Sequence, residues 1–379
     1  MSNDASVLLY IIVFEIAILF MRQYEIGTKR CGIAVTRIDA HGHMRIHLKQ
    51  LLLLIGAIVP PLIIYAFRYN VGTDFANYEY YISNMINHPV SLMEELKTSS
   101  STEVGFRIII GFFALTKSPV IVWGGIYLIS MVLIIHTIRT QYSECQLWLA
   151  YAVFLYLHFG SMENIIRQYI AVAIVFYNMK NIYSNRFFRF LLLTILAFSI
   201  HRSAIIAIIL YFLWDHKKNK FVDIWKIGPL TLGLCFVVFA WQPILRGVMQ
   251  YVPAFRKYAY LLIGNTGRNR DLILKVFYVV IVVVLYRVLK TKDYRMIFYM
   301  YLVFLTMLIG ITGYYTTFLK RASLYFELPF VIILSYIPQC VTFREKKMMN
   351  ILVHLGVILF FIANYVVLGH SEIIPYQWR

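Results

Sequence analysis

The chain has 379 residues, of which 60% are hydrophobic, 17% aromatic and only 14% charged. One soluble core cannot hide that apolar load, so the composition excludes an ordinary globular enzyme and marks a polytopic membrane protein. A net charge of +18 would suggest nucleic acid in a soluble protein; here it reads as loops anchored against anionic membrane lipids, with no nucleic-acid partner expected.

In chain order, segments 6–21, 51–67, 119–135, 146–160, 164–179, 189–200, 203–214, 228–241, 272–289, 296–312, 322–338 and 349–368 are mostly apolar. Several fall short of the roughly 20 residues that a perpendicular span needs, so tilt and shared burial must cover the difference. Hydrocarbon leaves the backbone to satisfy its own hydrogen bonds, which makes these segments helices. The expected fold is an all-α polytopic integral membrane protein. It has about 12 transmembrane helices, with 1–379 as a single transmembrane domain. Segment 6–21 carries Glu15 and no small-residue cleavage site, so it reads as a retained span.

Loop 22–50 carries Arg22, Lys29, Arg30, Arg37, Arg45 and Lys49, which assigns it to the cytoplasm. Alternate threading then puts 136–145, 180–189, 215–227, 287–295 and 339–348 on the same side and both termini outside. Together these six segments hold more than half of the 36 Lys and Arg residues. Segment 106–116 is apolar but short, bounded by Arg107 and the break Lys117-Ser118-Pro119; it fits a re-entrant or interfacial helix within an external loop, 68–118. The four cysteines (Cys31, Cys145, Cys235, Cys340) show no metal spacing, and no external disulfide, metal or cofactor is expected. Without a Gly-rich phosphate loop, an ATP-driven machine is disfavoured.

The outward ends of the spans carry cations that sorting by charge does not explain. Arg68 ends one span and Asp74 follows across the turn Gly72-Thr73-Asp74, whose carboxylate can bond its own backbone. Tyr78, Tyr80 and Tyr81 fit an interfacial belt or a sugar-stacking platform. Glu103 fits a capping charge at a helix N-terminus or a working carboxylate. Arg167 lies in the first turn of its span, where helix dipole and guanidinium both attract an oxyanion. His201 occupies a hairpin on the same face, with Arg202 beside it. Loop 242–271 holds Arg246, Arg256, Lys257, Arg268 and Arg270 against Asp271, and fits a headgroup-binding surface or a basic lid. Arg321 opens the span 322–338, and Glu327 deeper within it calls for a buried cationic partner, as Glu15 does.

Arg68-x-x-Val-Gly-Thr-Asp74-x-x-x-Tyr78, Glu103-x-Gly105-Phe106, Arg167-Gln168-x-Ile170-Ala171 and His201-x-Ser203-Ala204 resemble, in order, motifs of the Wzy/EpsG-type polysaccharide polymerases. Arg321-x-x-x-Tyr325-Phe326 and Ile374-Pro375-Tyr376 are similar to that family's later motifs; Arg202 departs from its pattern. The resemblance implies a GT-C-like glycosyltransferase of the bacterial cytoplasmic membrane, active on the periplasmic or exterior side. Donor and acceptor would be glycans linked to undecaprenyl pyrophosphate, destined for O-antigen, capsule or exopolysaccharide. A chain-length regulator and a flippase would be its partners. On this reading Arg167, Arg321, Arg68, Arg256 and Arg268 hold the pyrophosphate, and His201 or Glu103 is the general base. Asp74, Gln168, Tyr78 and Tyr325 orient these groups. A ligase using the same lipid, a multi-spanning O-acyltransferase and a flippase or transporter are the rival readings.

Overall fold

The computed structural model describes residues 1–31, 36–38, 44–88, 102–142, 145–222, 224–252, 270–289, 293–311 and 321–379. In order, its first half holds α1 (Asn3–Cys31), a hairpin of β1 (Thr36–Ile38) and β2 (Met44–Ile46), α2 (Leu48–Ala66), α3 (Phe75–Asn87), α4 (Val104–Ala114), α5 (Pro119–Gln141), α6 (Leu147–Asn164) and α7 (Ile166–Tyr183). Then come α8 (Phe187–Ile200), a 3-10 turn Arg202–Ala207, α9 (Ile208–Phe212), the hairpin β3 (Trp214–Asp215) and β4 (Lys220–Phe221), α10 (Ile224–Tyr251), α11 (Arg270–Leu289) and α12 (Tyr294–Ile311). The last part is α13 (Pro329–Tyr336) between short 3-10 turns, α14 (Phe343–Phe361) and a π-turn Ile362–Val367. Cys145, Cys235 and Cys340 are free thiols.

Among the described residues, five helices are long and apolar enough to cross a membrane: Asn3–Lys29, Leu48–Ala66, Pro119–Gln141, Tyr294–Ile311 and Phe343–Val367. Helix covers most of the expected apolar segments among the described residues, but two of those segments are broken. Segment 203–214 is a 3-10 turn, five helical residues and the start of a hairpin, closed where Asp215 Oδ1 accepts from the Lys217 and Lys218 amides at 3.1 Å. Segment 322–338 is interrupted around Pro329 and Pro338, which cannot donate to a helical ladder. Conversely, α10 runs straight through Pro229 and Pro243 to Tyr251, so the first third of the expected loop 242–271, Arg246 included, is helix. Arg256 and Arg268 lie outside the described residues.

By internal packing the described residues form two compact units. Unit 1 comprises Met1–Tyr177, Leu196–Arg202 and Leu334–Arg379. Its core is aromatic: Phe14 meets Phe159 at 5.0 Å and Tyr156 at 5.3 Å, edge to face. Pro61, inside α2, cannot donate to the carbonyl of Ala57, and the Tyr151 hydroxyl does so instead at 2.7 Å. Unit 1 has two distinct ends. At one, Trp148 N donates to Glu25 Oε2 and Gln146 to Asn350, near the exposed cations Arg22, Lys29, Arg344 and Lys347. At the other lie the end of α2, the start of α5, the junction of α6 and α7, and the C-terminal tail.

That second end is tied together by the tail. Tyr69 N donates to Gln377 O at 2.8 Å and Arg379 N to Phe67 O at 2.7 Å, with an antiparallel bridge between Arg68 and Trp378. Tyr376, fully buried, donates its hydroxyl to Ile64 O at 2.7 Å. α5 starts where α2 stops, since Tyr65 packs on Trp123 and Tyr127 near the α5 N-terminus. The chain from 68 to 118 therefore leaves and returns to one end, and α4, eleven residues long, does not cross the bundle.

Unit 2 comprises Asn178–Ile195 and Ser203–Ile333. Lys275 on α11, only 5% exposed, donates to the Ser323 hydroxyl and lies within electrostatic reach of Glu327. Glu327 thus has the buried cationic partner its place in an apolar span demanded. Tyr278 stacks on Phe330 at 4.1 Å, fixing α11 against α13.

Candidate functional site

Four polar side chains converge at the tail end of unit 1. Glu103 is the N-cap of α4, with extended backbone (φ −67°, ψ 141°) and no capping bond from its side chain. Its carboxylate reaches outward instead. Oε2 accepts from Arg167 Nη1 at 2.8 Å, and Oε1 accepts from the Arg202 backbone N–H at 3.2 Å. His201 Nδ1 lies 3.3 Å from Oε1, at ion-pair distance but without hydrogen-bond alignment. Arg167 completes the cluster by donating Nε–H to the Tyr78 hydroxyl at 3.3 Å, its guanidinium 5.7 Å from the Tyr78 ring centre and 5.9 Å from that of Phe106.

Each position has a local cause. A break at Ile165 (φ −108°, ψ 58°) separates α6 from α7 and puts Arg167 in the first turn of the new helix. Just before it, Asn164 Oδ1 accepts from Thr73 Oγ1 at 2.9 Å and from Asp74 N at 2.8 Å. That contact holds the turn together with the Phe75 amide, which donates to Gly72 O at 3.1 Å. Gly72, at φ +95°, supplies a conformation that side chains resist. Phe75 then stacks on Trp123, and the helix begun there delivers Tyr78.

Gly105 explains the spacing Glu103-x-Gly105. A Cβ there would lie 2.5 Å from Ser199 Oγ and 2.8 Å from the Ser199 carbonyl oxygen. Only glycine lets α4 approach the end of α8 closely enough for Glu103 to reach His201. Gly105→Ala is expected to part the two helices at a cost of about 1–3 kcal/mol. Ser199→Gly should not repair it, because the carbonyl remains. Thermal melting of the single and double variants checks this; a Gly105→Ala protein as stable as wild type would remove the argument.

Burial opposes ionisation of Glu103, but His201, Arg167 and its own backbone outweigh it, so its carboxyl is lowered to about 2. A carboxylate held that low takes no proton from a sugar hydroxyl at neutral pH. The linkage sign follows: a lowered folded-state value stabilises the fold above the ordinary carboxylate range and loses this as pH falls through about 2. The stability gap between wild type and Glu103→Gln should shrink progressively as pH falls below about 4.5. A gap unchanged at about pH 3 would show that Glu103 is not held low.

The other expected site residues are placed as follows. Arg68 is fully buried, 3.8 Å from the Tyr65 ring centre and 4.2 Å from that of Trp123. It donates to the carbonyls of Tyr65 at 2.5 Å and Glu163 at 3.1 Å. An arginine so enclosed is not open to a lipid diphosphate, which corrects the expectation for it. Gln168 is buried in unit 1. Arg321 and Tyr325 belong to unit 2, where the Tyr325 and Ser203 hydroxyls are 3.1 Å apart. Sequence alone gives no role to Asn164 or to the buried Glu163, which accepts from Tyr10 at 2.9 Å; their polarity at a helix end is the one local signal they carry. Among the described residues no group of His, Cys, Asp and Glu is arranged to hold a metal ion.

An all-α chain with several helices long and apolar enough to cross a membrane, and a compact Arg–Glu–His cluster at one end of a helix bundle, defines a polytopic membrane protein. The chain belongs to the EpsG family, whose family model matches residues 51–378, and so to the Wzy/EpsG-type polysaccharide polymerases that its motifs resemble. No curated protein and no solved structure matches it.

Proposed function

We propose that this protein is a glycosyltransferase that polymerises oligosaccharide units carried on undecaprenyl pyrophosphate, at the outer face of the bacterial cytoplasmic membrane. The observation that carries the reading is the meeting of Arg167, Glu103 and His201, from three helix ends, at one point. An acceptor hydroxyl attacks the anomeric carbon of the donor chain. The bond from that carbon to the pyrophosphate oxygen breaks, and the lipid diphosphate leaves with the electron pair. His201 takes the hydroxyl proton. Glu103, ionised beside Nδ1, favours the tautomer protonated there, which leaves Nε2 as the basic nitrogen. Glu103 is therefore the orienting group, and the base role passes to the histidine.

Arg167 stabilises charge on the leaving diphosphate, a task that fixed cations at a helix N-terminus suit. Tyr78 and Glu103 hold its Nε and Nη1 edges, so the guanidinium is oriented before substrate arrives. Transfer of the same lipid-linked glycan to a different acceptor, a ligase reaction, would use the same groups.

The test is purified protein with matched undecaprenyl-pyrophosphate-linked units and no nucleotide. A ladder of longer lipid-linked glycans, lost in His201→Ala, supports the reading. No ladder, with movement of the lipid across a vesicle membrane, would make the protein a transporter.

A further inference from the structure

At the end of unit 1 remote from Glu103, α1, α6 and α14 enclose a cleft of about 310 Å³. Two exposed cations, Arg22 and Lys347, face into it. Its one lining carboxylate, Glu15, already accepts from the Tyr156 hydroxyl at 2.6 Å and is 2.8 Å from His354 Nε2. The cleft therefore carries unneutralised positive charge. Its apolar walls stand in a definite order behind that charge. On α1, Ile18 and Leu19 lie one turn deeper than Arg22; on α14, Ile351 and Leu355 lie one and two turns beyond Lys347. Leu19, Ile351 and Leu355 are 55%, 50% and 51% exposed.

We propose that this cleft is a specific site for one anionic glycerophospholipid, its phosphodiester between Arg22 and Lys347 and an acyl chain along the apolar walls. Three observations carry this. The cations sit at the cation-rich end of the unit, which charge sorting assigns to the cytoplasmic leaflet, where anionic headgroups lie. Both helices run from cation to apolar residue in the same sense, matching a lipid from head to chain. Trp148 lines the cleft at the level of the cations, with the Arg22 guanidinium 5.5 Å from its ring centre, the depth at which indoles meet headgroups. A free phosphate would satisfy the cations but make no use of the apolar walls that continue from them. The site is separate from Glu103, Arg167 and His201, and does not depend on the polymerase reading.

Trp148 supplies the probe. The full-length protein is reconstituted in vesicles containing brominated-chain phosphatidylglycerol or brominated-chain phosphatidylcholine. Its fluorescence is compared with that of Trp148→Phe to isolate the Trp148 signal. Phosphatidylglycerol is expected to compete for the site more strongly, by roughly fivefold for each cation engaged. The preference should fall to parity in Arg22→Ala/Lys347→Ala. It should persist in Lys217→Ala/Arg344→Ala, which removes two exposed cations that do not line the cleft. Equal quenching of wild type by the two lipids overturns the proposal, and that comparison stands even if the double variant fails to fold. Abolition of the preference by millimolar inorganic phosphate also overturns it, since the occupant would then be a free anion.

Discussion

Arg167→Ala is expected to lower polymer formation on the order of 100- to 1000-fold, the loss that follows removal of one fixed contact to developing oxyanion charge. Protein level and membrane insertion should change little. Arg167 is a partly exposed side chain whose loss leaves Glu103 with His201 and the Arg202 amide. Arg167→Lys sharpens the test. An ammonium keeps the charge but cannot hold Tyr78 through one edge and Glu103 through another, as the guanidinium does. It should therefore recover only a minor part of the rate. The measurement is the length distribution of lipid-linked glycan made by equal amounts of purified protein. Wild-type ladders from Arg167→Ala would remove the residue from the mechanism.

Arg68→Ala is expected to fail in the opposite manner, through stability. Arg68 lies in an aromatic cage and donates to two carbonyls, those of Tyr65 and Glu163. Removing it leaves a void in the cage and two buried carbonyls without their donor, each unsatisfied group costing about 1–3 kcal/mol. The tail that bridges Arg68 at Trp378 should loosen with it. The readouts are folded yield and melting temperature in detergent, with proteolysis of the C-terminal segment. A protein of wild-type stability that had lost only activity would return Arg68 to the list of substrate-binding cations. The two arginines look alike in sequence, each at the outer end of an apolar run. Burial alone separates them: Arg167 is 26% exposed at its side chain and Arg68 not at all.

Within unit 1, the helices and their ends were readable because apolar runs and their boundaries are local signals. Alternate crossing then put Arg68, Glu103, Arg167 and His201 at one end without any knowledge of packing. The motif order added the family. Local signals do not tell where an apolar run is one continuous helix, as at 203–214, nor which prolines interrupt one. Pro329 and Pro338 coincide with breaks, while Pro243 does not end its helix.

What the sequence by itself determined is the class, the family and the end of the bundle where polar chemistry gathers. These follow from composition, periodicity and charge, each summed over neighbouring residues. The tertiary structure alone decided which polar groups touch. Arg167 meets Glu103 across 64 residues, Arg202 meets Glu103 across 99, and Tyr376 meets Ile64 across 312. It also decided that Glu103 grips a cation and a histidine instead of capping its own helix, and that Arg68 is enclosed. The physical reason is that burial and pairing depend on which helices pack together. A contact as short as Gly105 on Ser199 leaves no mark in sequence except the glycine itself.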